Sequence, residues 1–339
     1  MRFFVFGKFN FCTFDELQIL RLMGRRKNKI TIAFYNVENL FDTVDNPFTV
    51  DDDYTPNGKR RWNLKKYNHK VKKITSIISQ IGLESSSIPP VIIGLAEVEN
   101  SKVIKDITTH KNVLKFNYKY VHYDSLDERG IDVALMYNSD FFEVISSKTH
   151  SLLLKDEEGE VDYTRDLLVV KGKLNNEEVY VLVNHWPSRR DGEEVTAINR
   201  IKAAELVQKV ISEIKEKEKD SKFIIMGDFN DNPTSRSIQD YLMNDDLYNP
   251  MKSLYKKGNG TLTHYKEWHL FDQIIFSRDF FDAGKSHHTF LEAKIFKKKW
   301  LKIYKGKYKG SPFRTYIGPF YQGGVSDHFP VYITLEKDV

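Results

Sequence analysis

The stretch Phe223-Ile-Ile-Met-Gly-Asp228-Phe-Asn230-Asp-Asn-Pro-Thr234 indicates how this 339-residue chain folds. Four apolar residues run directly into Gly227 and then into polar turn residues, a pattern typical of a buried strand that ends at a loop. Asp228 and Asn230 are then rigidly supported but face solvent, which suits a polar site. For this stretch alone, an ordinary Asp/Asn turn is the simpler interpretation.

Other predicted strands carry polar residues at the same kind of position. These residues are Asn36 and Glu38 after Ile30–Tyr35, Glu97 after Pro90–Ala96, His185 after Val179–Val183, and Asp327 and His328 before Pro330–Leu335. Because proline opens the last of these strands, we expect that strand to be compatible with a sheet edge. Each of these residues alone could be a turn residue. However, several strand ends that carry acids, amides and histidines favour one shared site.

Two helices are predicted from apolar residues spaced three and four apart. Their stripes are Leu64, Tyr67, Val71, Ile74, Ile78 and Ile81, and then Val195, Ile198, Ile201, Ala204, Val207, Ile211 and Ile214. Such amphipathic helices cover the faces of sheets.

The remaining strands are predicted as neighbours along the chain. Tyr118–Tyr123 and Ile131–Tyr137 pair around a turn, Phe141–His150 continues this meander, and Asn175-Asn176 closes a hairpin. The order of elements predicts an α+β fold of two packed sheets flanked by helices.

Composition limits the class of protein. With 40% apolar and 29% charged residues, the chain can build a large core, and the net charge of +5 permits an anionic partner without demanding one. The single cysteine, Cys12, excludes an internal disulfide framework and fits a reducing compartment. No segment has the apolar length of a membrane span, and we expect a cytoplasmic monomer.

The N-terminus is predicted to stand apart from the rest. We expect residues 1–28 to be an extension, either with a small helix around Glu16–Met23 or with translation beginning at Met23. Residues 29–339 show no internal repeat, low-complexity region or linker, and we expect them to form a single domain.

The polar strand ends suggest a chemistry. Carboxylates and amides are ligands for Mg²⁺ or Mn²⁺, and histidines beside acids suit phosphate binding and proton transfer. Together they predict hydrolysis of a phosphoester by an oriented water. Ser326 is not a convincing hydrolase nucleophile, because Gly324-Val-Ser-Asp-His328 lacks the second glycine of a nucleophile elbow.

The motifs, taken in order, resemble the endonuclease/exonuclease/phosphatase superfamily from about Ile30 to Leu335. The matching segments are Asn36/Glu38, Leu95–Glu99, Asn184–Arg189, Gly227–Pro233, Phe271–Ser277 and Ser326–Pro330. The resemblance implies a four-layered α/β/β/α sandwich of two mostly antiparallel sheets, with the site at one rim.

The resemblance also implies a metal centre that uses Mg²⁺ or Mn²⁺. Glu97 would be the principal ligand, and Asn36 and Asp327 would help to complete the metal–water network. Glu38 stands where abasic-site enzymes of the superfamily have an aspartate, so its role as a ligand is a weaker prediction. Glu99 is interpreted as an ordinary loop carboxylate.

The same resemblance assigns roles in the reaction. Asp228 would position or deprotonate the attacking water, and Asn230 and His185 would hold the phosphate. His328 would bind the scissile phosphate and would be oriented by Asp272.

Three arginines are further candidates for phosphate contact. Arg165 precedes a central strand and would be another phosphate-facing cation. Arg189 and Arg314 either grip phosphate or border the rim.

The substrate stays open at this point. Lys294–Lys309 contains eight lysines interleaved with aromatic residues, which either follow a nucleic-acid backbone or form a solvated loop with its aromatics packed inward. We predict a metal-dependent phosphodiesterase that is nuclease-like, either endonuclease or exonuclease, acting on DNA or RNA. The alternatives are a phosphomonoesterase or phospholipid phosphodiesterase on the same fold, and a non-catalytic nucleic-acid-binding protein.

Overall fold

The computed structural model describes residues 27–155, 159–190, 192–282 and 287–338. Both N-terminal predictions, the helix around Glu16–Met23 and the alternative start at Met23, lie outside these ranges. The α-helices are α1 (Leu64–Ile78), α2 (Ser101–Thr108), α3 (Glu193–Lys217) and α4 (Met251–Lys256).

The strands, in chain order, are β1 (Lys27–Leu40), β2 (Ile92–Val98), β3 (Tyr118–His122), β4 (Asp132–Asn138), β5 (Phe142–His150), β6 (Leu154–Lys155), β7 (Val161–Asp162), β8 (Leu167–Leu174), β9 (Glu177–His185), β10 (Phe223–Asp228), β11 (Leu247–Tyr248), β12 (Leu262–His264), β13 (Glu267–His269), β14 (Asp272–Ser277), β15 (Thr289–Ile295), β16 (Tyr316–Ile317), β17 (Phe320–Tyr321) and β18 (Val331–Asp338).

Two six-stranded sheets dominate the molecule. The first has the order β15-β18-β1-β2-β4-β3 and the second has the order β11-β14-β10-β9-β8-β5. Each sheet contains one parallel pair, β1 with β2 and β10 with β9, and its other neighbours are antiparallel. Helix α1 lies in the crossover between the first parallel pair and α3 in the crossover between the second, as parallel strands require.

The core has three layers because successive side chains of a strand point to opposite faces. Phe34 and Met226 lie between the two sheets, whereas Tyr35 packs outward beneath α1 and Ile225 packs beneath α3. This arrangement confirms the α/β/β/α sandwich of two mostly antiparallel sheets.

Two details of the predicted topology are wrong. Phe142–His150 does not continue the β3–β4 meander but crosses to the second sheet and pairs with β8. The strand after Pro330 is not at an edge, because β15 covers its outer side. Pro330 lies just before this strand, where its missing N–H removes no bond from the ladder, and its carbonyl accepts from Phe296 N.

Glu177 secures the end of the second sheet farthest from the predicted site. It follows the Asn175-Asn176 turn, where both residues have the positive φ of a type I′ hairpin. Its buried carboxylate accepts from Lys222 Nζ at 2.6 Å and from His288 N at 2.8 Å. Burial raises the pKa of Glu177, but the hydrogen bonds from His288 and Lys222 outweigh burial and bring it to about 2.

No helix in the four described ranges has both the length and the apolar character that crossing a membrane would require.

Candidate active site

The polar strand ends meet at one edge of the sandwich. In the second sheet, parallel β9 and β10 end side by side with His185 opposite Asp228, and antiparallel β14 begins beside them with Asp272. In the first sheet, Asn36 on β1 pairs with Ala96 on β2, the residue before Glu97. The chemistry predicted from separate parts of the chain is therefore brought together in space.

Asn36 joins the two sheets at this edge. Its Nδ2 donates to Asp228 Oδ2 at 3.0 Å and lies 3.4 Å from Glu97 Oε1. Its Oδ1 accepts from Glu38 N at 2.9 Å, which fixes the orientation of the buried amide. Asn36 thereby holds two carboxylates from different sheets close to each other.

Glu97 has a strained backbone and a carboxylate that is open on one side. Its φ is 62°, a left-handed conformation that costs a non-glycine residue about 1–2 kcal/mol. Oε2 accepts from Asn39 N at 2.8 Å, while Oε1 lies 3.9 Å from His185 Nε2. Strain of this kind at a strand end is characteristic of functional sites.

Asp228 is a buried carboxylate with a perturbed pKa. Burial, the largest cause, and the nearby Asp272 raise its pKa, whereas His328 and the hydrogen bonds from Asn230 N and Asn36 lower it, and the outcome is about 6. Its Oδ2 lies 3.8 Å from His328 Nε2 and 3.9 Å from His185 Nε2. A carboxylate with such a pKa can take up and release a proton near neutral pH.

The two histidines beside Asp228 have opposite protonation tendencies. Burial, together with the positive charges of Arg165 and Arg129, lowers the pKa of His185 well below 6.5, so this imidazole is neutral. Burial also lowers the pKa of His328, but the carboxylates of Asp272 and Asp228 raise this pKa by more than burial lowers it, so that it lies well above 6.5. The site therefore contains one neutral imidazole and one imidazolium.

Asp272 orients His328. Its Oδ2 lies 2.7 Å from His328 Nδ1, and the carboxylate is fully buried. Ser326 Oγ accepts from His328 N at 3.0 Å and donates to Asn36 O at 2.7 Å, so the backbone beside the ring is also held. These bonds leave Nε2 directed toward the acids of the site.

Asn230 is held tightly in the turn after β10. Its N donates to Asp228 Oδ1 and its Nδ2 donates to Trp186 O, both at 2.9 Å. Arg189 braces this turn, because its Nε donates to Asn230 O at 2.7 Å and its other nitrogens pair with Asp231 and Glu193. These contacts favour a positioning role for Arg189 over direct phosphate contact.

Arg165 is also engaged with the protein. Its Nη1 forms a buried ion pair with Asp127 at 2.9 Å, and its Nη2 donates to Trp186 O at 2.7 Å. The guanidinium thus supports the β9 end that carries His185 and contributes its positive charge to that ring. These contacts favour a supporting role for Arg165 over direct contact with phosphate.

Glu38 and Asp327 are joined through Arg314. The guanidinium donates to Glu38 Oε1 at 3.0 Å and to Asp327 Oδ2 at 2.8 Å. Glu38 is buried and also accepts from Thr315 N at 2.6 Å, whereas Asp327 keeps a partly exposed carboxylate. Glu38 therefore anchors the segment around Arg314, and Asp327 stays accessible at the rim.

Two further carboxylates have structural contacts. Glu99, predicted to be a loop carboxylate, is buried and accepts from Asp42 N at 2.5 Å. Asp132 accepts from Ser125 N at 3.0 Å.

Arg129 is a further member of the site that no sequence pattern indicated. It lies in the turn between β3 and β4, donates to Asn39 Oδ1 at 2.7 Å, and places Nη2 3.9 Å from Glu97 Oε2. Its side chain is partly exposed, so it can meet an anion that approaches Glu97. The only sequence signal was an arginine in a charged turn, which does not reveal a neighbour 32 positions earlier.

The fold and the edge of acids and histidines define a class of phosphoester hydrolases built as a four-layered sandwich. The chain belongs to the endonuclease/exonuclease/phosphatase family, whose model matches residues 31–337. The superfamily comprises phosphodiesterases and phosphatases that depend on a divalent metal. No curated protein matches the chain.

Solved structures share this fold at low sequence identity. A family protein from Bacteroides thetaiotaomicron is 18% identical, with a TM-score of 0.57 over 93% of this chain and 98% of that one. A humanized D. rerio TDP2 is 15% identical, with a TM-score of 0.56 over 91% and 98%. The mannosyl-6-phosphatase Bt3783 of B. thetaiotaomicron is 18% identical, with a TM-score of 0.54 over 90% and 99%.

Proposed function

We propose that this chain is a metal-dependent phosphodiesterase that cleaves nucleic acid. The observation that carries the proposal is the pairing of Glu97 and Asp228 through one amide of Asn36, next to a neutral His185 and a cationic His328. The carboxylates suit a cation and a water, and the imidazoles suit the anionic oxygens of a phosphate.

The residues present fit a hard divalent cation. Within the described ranges, the one hydrogen bond to Glu97 Oε1 is the long contact from Asn36 at 3.4 Å, so this oxygen has capacity left for a ligand. Glu97 would hold the ion and Asp327 would help to complete its surroundings, whereas Asn36, whose Nδ2 faces Glu97 and Asp228, would donate to a water bound to the ion and would not ligate the ion itself. Bound Mg²⁺ or Mn²⁺ would neutralise charge on the phosphoryl oxygens and on the leaving group.

A second cluster of possible ligands serves proton handling instead. One ligand atom each from Asp228, Asp272 and His328 lies within 4.8 Å of the others. Because the Asp272–His328 bond of 2.7 Å already uses the ring's Nδ1, we assign this cluster to the protons of the reaction and not to a metal.

The chain's own groups then divide the work of hydrolysis. Asp228 orients the attacking water and accepts its proton, which its pKa of about 6 allows. His328 Nε2 donates to a phosphate oxygen, where its positive charge stabilises the charge that develops in the transition state. Neutral His185 would donate to the phosphate in the tautomer that carries its hydrogen on Nε2, and Asn230 and Arg129 assist in holding the phosphate.

Nucleic acid is the proposed substrate because of the surface beside the site. In the segment Lys294–Lys309, Phe296 is buried, but Trp300, Tyr304 and Tyr308 are exposed, so the aromatics are not all packed inward. Among structural neighbours, a D. rerio TDP2 has been solved with a single-strand DNA product. The catalytically silent alternative is disfavoured by the intact set of site residues.

The test is a substrate panel. Purified protein with Mg²⁺ is given single-stranded and plasmid DNA, an abasic duplex, bis(p-nitrophenyl) phosphate, a sugar phosphate, inositol phosphates and sphingomyelin. We expect EDTA-sensitive cleavage of DNA and of the generic diester, abolished by His328→Ala and retained in Asp106→Asn, a change on α2. Activity on none of them, or activity that survives EDTA and His328→Ala, would overturn the proposal. Cleavage of the sugar phosphate alone would favour a phosphomonoesterase.

We also propose that residues 29–339 form one domain. Support comes from the pairing of β1 with β18, which joins the two ends of this range in one sheet. Limited proteolysis that separates two stable halves would contradict it. A cytoplasmic location and a monomeric state stay predictions, to be checked by cell fractionation and light scattering.

A further inference from the structure

A cavity of about 650 Å³ opens beside the candidate site. Arg314 and Asp327 form its inner wall, the tip of the β12–β13 hairpin forms a second wall, and Lys307 and Tyr308 line a third. This volume lies within the range of about 300–1,000 Å³ that is usual for small-molecule sites. Because Arg314 and Asp327 belong to both, the cavity adjoins the candidate site.

The hairpin tip holds two residues in an unfavourable conformation. Tyr265 and Lys266 form the two-residue loop between β12 and β13, with φ of 46° and 72°. A type I′ loop normally contains Asn-Gly, because other residues are strained at positive φ. The Tyr265 side chain is 87% exposed, and its ring contact within the described residues is the adjacent His264. Packing therefore does not explain the tyrosine, and strain at an exposed tip points to a function.

The charge of the cavity is positive. Neither Lys266 nor Lys307 has a carboxylate within 4.0 Å in the described part of the chain, and the one acid lining the cavity, Asp327, is already paired with Arg314. By contrast, Lys294 and Lys298 of the same basic segment are paired with acids. Because no carboxylate of the described residues neutralises Lys266 or Lys307, whose ammonium lies over the Tyr308 ring, the cavity favours a ligand that carries negative charge.

We propose that this cavity binds the nucleotide adjacent to the scissile phosphate in a single strand. Its base stacks on Tyr265, and its own phosphate lies near Lys266 and Lys307. A single strand is favoured over a duplex because the bases of a duplex are stacked on one another and offer no free face to a tyrosine. The inference rests on the proposed function, since it names the substrate of that same site.

The decisive variant removes the ring while improving the turn. Tyr265→Asn/Lys266→Gly installs the preferred Asn-Gly pair, so Tm stays equal or rises. We expect kcat/KM on a single-stranded oligonucleotide to fall about 5- to 150-fold through the loss of one stacked base, and the loss of Lys266 adds to this effect. Hydrolysis of bis(p-nitrophenyl) phosphate should stay within about twofold of wild type, since that substrate does not fill the cavity. The matched control is Tyr163→Ala, which removes a 43% exposed tyrosine that neither lines the cavity nor belongs to the segment Lys294–Lys309.

Binding measured without metal tests the lysines separately. Fluorescence anisotropy with a labelled single strand is recorded over a range of salt concentrations. Lys307→Gln should reduce the slope of log K against log salt by about 0.7, the value for one lost phosphate contact with a single strand. Lys119→Gln, which alters an exposed lysine on β3 outside both the cavity lining and the segment Lys294–Lys309, should leave the slope unchanged.

Three results would overturn the inference. The first is wild-type oligonucleotide cleavage by the hairpin variant, and the second is an equal loss on both substrates, which would place the hairpin in the general architecture of the site. The third is an unchanged salt slope in Lys307→Gln. A failure of the proposed function would give a different result. Wild-type protein would then hydrolyse neither the oligonucleotide nor bis(p-nitrophenyl) phosphate, while the anisotropy measurement would still test binding of the single strand to the cavity.

Discussion

Asp272→Asn is the most informative single substitution at the site. The change keeps the shape of the side chain but removes the charge that lies 2.7 Å from His328 Nδ1. Hydrogen bonds to charged groups contribute about 1.5–3 kcal/mol and neutral ones about 0.5–1.5 kcal/mol. The difference, taken as about 1–2 kcal/mol, corresponds to a loss in kcat/KM of about 5- to 30-fold if the imidazolium stabilises the transition state.

The pH profile separates this role from a structural one. Because the Asp272 carboxylate raises the pKa of His328, its removal makes the ring lose its proton at lower pH. The alkaline limb of kcat/KM should therefore move to lower pH in Asp272→Asn. A destabilised but otherwise unaltered site would lose activity without such a shift.

The assay is hydrolysis of bis(p-nitrophenyl) phosphate from pH 5 to pH 10, followed by absorbance. Asp106→Asn is the matched control. Asp106 lies on α2, and its carboxylate accepts an equally short hydrogen bond, of 2.6 Å, from the Tyr67 hydroxyl. We expect its pH profile to match that of wild type. Wild-type kcat/KM and an unshifted profile in Asp272→Asn would refute the reasoning.

Three further predictions concern stability. Glu177→Gln should lower the free energy of unfolding by about 2 kcal/mol at pH 7. This is less than the roughly 3.4 kcal/mol that a pKa of about 2 implies, because solvent screens part of the interaction between Glu177 and its partners. Since the pKa of Glu177 is depressed in the folded protein, its contribution to stability is present above pH 4.5 and is lost as the pH falls toward 2. The urea midpoints of variant and wild type should therefore converge in acid. Midpoints that stay apart would contradict this prediction. Arg165→Met strands the Asp127 carboxylate and should lower the free energy of unfolding by about 3–5 kcal/mol; an unchanged urea midpoint would count against the pair. Gly94→Ala would place a methyl 2.5 Å from Met226 Sδ between the sheets. The variant should lower the free energy of unfolding by about 1–3 kcal/mol. An unaltered Tm would show that the sheets can adjust to the methyl.

The parts of the site that the sequence could predict depend on local patterns. Apolar runs such as those ending at Asp228 and Glu97 determine strands, and helices inserted between strands favour parallel pairs that end at the same edge. These two rules are enough to predict an edge with acids and histidines. The family motifs then suggest roles for the individual residues, and those roles stay proposals.

The parts that could not be predicted depend on distant contacts. Asn36 and Asp228 are 192 positions apart, and Arg165 and Asp127 are 38 apart. Nothing in the local sequence around Arg165 distinguishes an arginine buried in an ion pair from one that faces phosphate. The position of β18 inside its sheet was likewise hidden, since it depends on pairing with β15, a strand within a charged segment.

The central claim is that Glu97 holds a divalent cation at which the neighbouring residues hydrolyse a phosphodiester. The most direct measurement is a Mg²⁺ titration of chelated protein with bis(p-nitrophenyl) phosphate, comparing wild type with Glu97→Gln. We predict no activity without metal, full recovery in wild type, and at least a roughly 100-fold lower rate in the folded Glu97→Gln variant, as expected when a principal ligand loses its charge. Activity in the absence of metal, or a Glu97→Gln variant with the metal dependence of wild type, would contradict the account.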